Sequence, residues 1–166
     1  MEDFVKALEQ KVQHFEKLLE QERKKIGEVE KELRQIKEKL ASIEEQIIQI
    51  QRQIKEHEHR IHDILGKLKR VQRATLHAQS EREIEMLEED RKRLVRQLHQ
   101  YQEELQSLKD RYEELTNEEM KLLEKERKLE EKHAKLLHEQ EITLKRVESI
   151  MEQLQKRVDQ FRKITH

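Results

Sequence analysis

Apolar residues recur at alternating steps of three and four along almost the whole chain. From Val5 to Val71 one row is Val5, Val12, Leu19, Ile26, Leu33, Leu40, Ile47, Ile54, Ile61 and Leu68. Its companion row is Leu8, Phe15, Glu22, Val29, Ile36, Ile43, Ile50, His57, Ile64 and Val71; only Glu22 and His57 interrupt the stripe. A seven-residue repeat sustained this long describes a helix that supercoils left-handed against a second helix.

The phase is lost between Arg73 and Glu83. Extending the first frame puts Thr75, Ala78, Arg82 and Glu85 on the seam, and a new frame opens at Ile84. Ser80 and Glu83 stand just before it in the spacing of a capping box. The Ser oxygen accepts from the third helical N–H, and the Glu is expected to reach back to the N–H of Ser80. The second frame has one row of Ile84, Arg91, Leu98, Leu105, Tyr112, Glu119, Glu126, His133, Gln140, Val147, Leu154 and Phe161. The other is Leu87, Leu94, Tyr101, Leu108, Leu115, Leu122, Leu129, Leu136, Thr143, Ile150, Arg157 and Ile164. Thr116-Asn117-Glu118-Glu119 carries a second cap signal, but the frame runs through it and predicts one helix.

The pattern predicts an all-α fold: a long two-helix antiparallel coiled-coil hairpin, one domain over residues 1–166. Its helices run over about 3–73 and about 81–164, with a tip at about 74–80. Setting Val71 opposite Ile84 also sets Ile54 opposite Tyr101, Leu33 opposite Leu122 and Val5 opposite Ile150. Glu22 then faces His133, which offers a partner to a costly seam carboxylate. Such a rod is roughly 105 to 120 Å long. It leaves Leu154 to Ile164 overhanging, with nothing opposite. The alternative is a straight parallel homodimeric rod of roughly 240 Å, with the phase break a mere discontinuity.

Composition narrows the function classes. The chain is 44% charged with two Gly and no Pro, as coiled coils are, and it lacks the turn residues of a layered core. Lys and Arg (36) balance Asp and Glu (37) and are interspersed with them. That is neither the basic footprint of a nucleic-acid binder nor a polybasic membrane patch. No apolar run is long enough for membrane insertion. The start, Met1-Glu2-Asp3-Phe4-Val5-Lys6, is acidic and lacks a signal-peptide core, so a cytoplasmic location is expected. With no cysteine, disulfides and cysteine-based zinc sites are excluded.

Candidate chemistry is sparse. His57, His59, His62 and His99 fall within a few turns of one another, and His59 and Asp63 have a chelating i, i+4 spacing. His57 points into the seam while His59 and His62 point elsewhere, so solvated histidines are expected, with a weak His-based metal binder as the alternative. His57-Glu58 opens a metalloprotease motif, but Ile61 stands where its second His belongs. Glu119, Glu126, Arg91 and Gln140 lie on the second seam. Carboxylates do acid–base work only in a pocket, and a helix pair offers none. No catalytic residue, cofactor, metal or small-molecule substrate is expected, and the chain is read as a non-enzyme.

One feature exceeds what two strands need. Leu137, Leu144, Met151 and Val158, with Leu123 before them, form an apolar row beside the seam. Phe4 and Leu18 also fall beside the seam of the first helix. A two-stranded coil uses only its a/d stripe. The row, with Leu154 and Phe161 of the overhang, is therefore read as the partner-binding surface, where another helix or a second copy docks at the open end. The function expected is a scaffold or adaptor.

The segment Leu65-Gly66-Lys67-Leu68-Lys69-Arg70-Val71, followed by Ser80-Glu81-Arg82-Glu83-Ile84-Glu85-Met86-Leu87-Glu88-Glu89-Asp90, resembles the tip of a bacterial family. Its members are coiled-coil hairpin proteins with a C-terminal four-cysteine zinc ribbon, among them a flagellar-regulation chaperone. The resemblance implies a hairpin with a polar loop; the ribbon has no counterpart in a chain without cysteine. Size and two-helix form also resemble the stalk proteins of flagellar and type III export ATPases, which implies a chaperone-like or stalk role.

Overall fold

The computed structural model describes residues 2–165, the last by its backbone only. Two helices account for nearly all of it: α1, Glu2–Leu76, and α2, Glu81–Thr165. The chain reverses at 77–80, giving an all-α helical hairpin. The straight parallel pairing is thereby overturned: the phase break is a turn.

The turn is built without a left-handed residue. α1 ends in tightened i+3 bonds, His77 N–H to Ala74 C=O at 3.2 Å and Ala78 N–H to Thr75 C=O at 3.3 Å. The Thr75 hydroxyl donates to the Val71 carbonyl at 2.8 Å. The two i+3 bonds occupy the Ala74 and Thr75 carbonyls, which a helix end otherwise leaves open. α2 starts on the expected cap, with the Glu83 N–H donating to Ser80 Oγ at 3.2 Å. The Glu83 carboxylate reaches back one residue further than the motif predicts, to the N–H of Gln79 at 3.2 Å. Helix α1 runs three residues past its expected end because these side-chain and i+3 bonds carry it to Leu76.

Both seams are where the repeat puts them. Every position of the two α1 rows is buried or half-buried, Glu22 and His57 included. On α2 the same holds from Leu87 to Leu154, except for exposed Arg91. Arg91 escapes by turning back along its own helix to Glu88, at 2.7 Å. Thr116 continues the helix rather than capping one, its hydroxyl donating to the Tyr112 carbonyl four residues back at 2.8 Å.

The chain forms two compact units, each with a stretch of both helices: residues 1–38 with 123–166, and residues 39–122. In the first, Ile26, Val29, Leu33 and Leu136 make a buried cluster with Leu129 against it. In the second, Leu40, Ile43, Ile64, Leu94 and Leu115 are buried. Burying a Leu or Ile is worth about 1.5–3 kcal/mol, so these seam residues hold the pairs together.

The expected register is wrong by one heptad. His133 bonds Glu30 at 3.1 Å, not Glu22. In the second unit His57, not a residue seven earlier, bonds Glu104 at 2.8 Å. Sliding one helix by seven residues maps seam onto seam, so the hydrophobic pattern alone is blind to it. Glu22 meets Thr143 instead: the hydroxyl lies 2.9 Å from its Oε1. The Glu22 side chain is buried, and its Oε2 has no hydrogen-bond partner among the described residues.

Candidate functional site

The slide shortens the overhang to its last residues, where Ile164 is 78% exposed. Leu154 is half-buried in the seam. The Arg157 guanidinium lies over the Phe4 ring, 4.6 Å from its centroid, a cation–π contact that ties the two helices together. Val158 and Phe161 line a groove with Glu2, Val5, Lys6 and Glu9 of α1. The expectation that Leu154 to Ile164 has nothing opposite is therefore corrected as far as Phe161: the start of α1 runs alongside that stretch.

The apolar row beside the seam keeps its outward face. Leu137 is 42% exposed, Leu144 41%, Met151 53% and Val158 39%. Leu123, earlier in the same row, is also exposed. All belong to the first unit. Their spacing of seven keeps them on one flank of α2, the flank on which Val158 shares its groove with Glu2 and Glu9. On the other flank Lys11 and His14 line a groove with Arg146 and Gln153. Leu18 is half-buried and Phe4 is engaged by Arg157, so neither extends the row. Of the six residues expected to bind a partner, four form one exposed stripe. Leu154 serves the seam, and Phe161, though exposed, lines the terminal groove.

The turn carries exposed apolar surface that the repeat did not reveal. Leu76 is 79% exposed and Met86 61%. Ile84, expected as the first seam residue opposite Val71, is exposed as well. The phase break was the available signal. A frame that fails before a turn leaves its apolar residues with no strand to cover them.

The histidines are distributed as their positions dictate. The His57 ring is wedged between two acceptors, the Gln53 carbonyl at 2.9 Å and a Glu104 oxygen at 2.8 Å. The bond from His57 lowers the Glu104 carboxyl from its ordinary range; desolvation opposes it, while the Gln100 amide and the Arg60 charge add to it. Tyr101 packs edge-on against His57, with the Arg60 guanidinium 5.6 Å from its ring centroid. His59 and Asp63 pair at 3.5 Å on the surface. Among the described residues no group of three His, Cys, Asp or Glu is placed to hold a metal ion. No described helix is long and apolar enough to cross a membrane.

No protein-family model matches the chain, and no curated protein matches it. Its fold is similar to the 2.2 Å structure of the HP0958 protein from Helicobacter pylori CCUG 17874, with a TM-score of 0.66. The identity is 18%, over 89% of this chain and 67% of that one. At that identity the likeness shows a shared fold and no more.

Proposed function

We propose that this chain is a non-enzymatic helical scaffold that docks a partner helix along Leu137, Leu144, Met151 and Val158. The observation that carries the reading is the exposure of four apolar side chains in one heptad row, 39 to 53%, beside a seam that is already filled. Single exposed apolar residues are ordinary; a row of them is a helix-binding stripe. Replacing Leu144, Met151 and Val158 together by Glu leaves the seam untouched. The variant should keep its helicity by circular dichroism and lose association with its partner, or with itself, in sedimentation velocity. Association that survives the triple change would refute the stripe.

A second reading rests on the turn. Leu76 and Met86 are more exposed than any residue of the stripe. A scaffold that works through its tip would lose partner binding on Leu76→Ser with Met86→Ser and keep it in the triple-Glu variant.

A further inference from the structure

The stripe lies between two acidic margins, and these name its occupant. On the α1 side, Glu2 and Glu9 share the groove of Val158, and Glu16 follows one heptad further along the same flank. On the α2 side, Glu141 and Glu148 stand four residues after Leu137 and Leu144, and so on the outer edge of the row. All five are exposed. Cations stand chiefly toward the two ends: Arg23 at one, and Lys6, Arg157 and Arg162 at the other, with Lys6 and Arg157 lining the groove of Val158. Lys145 bonds Glu141 at 3.4 Å from its own side of the helix.

From this arrangement we propose that the stripe takes a basic amphipathic helix of another protein, one with an apolar row flanked by Lys or Arg. The inference rests on the docking reading above and adds the chemistry of the partner. Its apolar row meets Leu137, Leu144, Met151 and Val158, and its flanking cations meet Glu9 and Glu16 on one side and Glu141 and Glu148 on the other. The stripe runs about 32 Å along α2, so the bound segment has about 20 residues. A second copy is the poorer occupant. Two copies joined through this face would bring the same acidic margins together, and like charges across an interface are repulsive.

The test uses the full chain and two synthetic helical peptides of about 20 residues with one leucine stripe, one flanked by Lys and the other by Glu. Fluorescence anisotropy should show the Lys peptide binding at least tenfold tighter than the Glu peptide, with the difference shrinking between low and high salt as screening sets in. Glu9→Lys, Glu16→Lys, Glu141→Lys and Glu148→Lys together should reverse the preference. The Leu144→Glu, Met151→Glu, Val158→Glu variant separates stripe from charge. It is more acidic than the wild type, so attraction by charge alone would tighten the Lys peptide, whereas a bound stripe loses it. Equal binding of both peptides, lost in that variant, would overturn the basic partner and leave the docking reading standing. Binding of neither peptide, with self-association in sedimentation that the variant abolishes, would make a second copy the occupant and overturn the proposal. Tighter binding of the Lys peptide by the variant would overturn both readings.

Discussion

Glu22 and Thr143 give the sharpest test of how this hairpin is held. Glu22 sits in the seam at 8% exposure, one carboxylate oxygen accepting from Thr143 and the other without a partner among the described residues. The Thr143 hydroxyl has one proton and two acceptors in reach, Glu22 Oε1 at 2.9 Å and the Glu139 carbonyl at 3.0 Å. The two residues therefore depend on each other unequally. Thr143→Val strips the buried carboxylate of its donor. A hydrogen bond to a carboxylate is worth about 1.5–3 kcal/mol, and the added methyl returns about 0.8 kcal/mol, so a net loss of about 1–2 kcal/mol is expected. Glu22→Leu does the opposite. It removes the orphaned oxygen and fills the seam with a side chain whose burial is worth about 1.5–3 kcal/mol. Thr143 keeps the Glu139 carbonyl and is not orphaned in turn. Stability should rise, as it often does when a buried polar group gives way to a packed apolar one.

The double-mutant cycle isolates the dependence. In the Glu22→Leu background, Thr143→Val should change stability by less than about 0.5 kcal/mol, against about 1–2 kcal/mol in the wild type. Urea unfolding followed by circular dichroism gives the four stabilities. Amide exchange at Val29 and Leu136, in the buried cluster of the same unit, localises the effect. An equal cost of Thr143→Val in both backgrounds, or no cost in either, would refute the argument: the hydroxyl would then not be holding the carboxylate.

Three further outcomes are expected. His133 bonds Glu30 and not Glu22, so Glu30→Gln and His133→Gln should be coupled in a double-mutant cycle while Glu22→Gln and His133→Gln should be additive. Coupling confined to the second pair would restore the register expected from sequence. His57 depresses the Glu104 carboxyl. A depressed folded value contributes stability above the unfolded value of about 4.3, lost as pH falls through the folded one. A carbon-13 titration should place Glu104 below the ordinary range and His57→Ala should raise it; an unchanged midpoint would remove His57 as the cause. Gly66 is helical, and a methyl group there would meet nothing within 4 Å. Gly66→Ala should therefore raise stability by about 1 kcal/mol in thermal unfolding, and a loss would mean that the site is not open.

The legible part of this molecule is whatever has a period of seven. Both seams follow from the spacing of Val, Leu and Ile, because a helix with one apolar stripe must bury it and a strict heptad fixes which residues those are. The exposed stripe is legible for the same reason: Leu137, Leu144, Met151 and Val158 repeat every seven residues on a line that two strands do not cover. The turn is legible because Ser80 and Glu83 carry a signal that is local and not periodic.

What fails is what a period cannot encode. A heptad slide costs the pattern nothing, so the register is held by side chains that the repeat treats as interruptions: Glu22 with Thr143, Glu30 with His133, Glu104 with His57. Pairing Glu22 with His133 would give a buried carboxylate an opposite partner. The fold satisfies one of its oxygens with the Thr143 hydroxyl and leaves the other without a partner among the described residues. The overhang expected at the C-terminal end is a consequence of that register and is shortened with it. Arg157 over Phe4 reveals it most directly. The exposed stripe survives because it depends only on which flank of α2 a residue occupies, and a slide along the axis leaves that unchanged. Its acidic α1 margin is also robust. Glu2, Glu9 and Glu16 repeat every seven residues, so a slide of one heptad sets another of them beside the same apolar residue and keeps most of the charge.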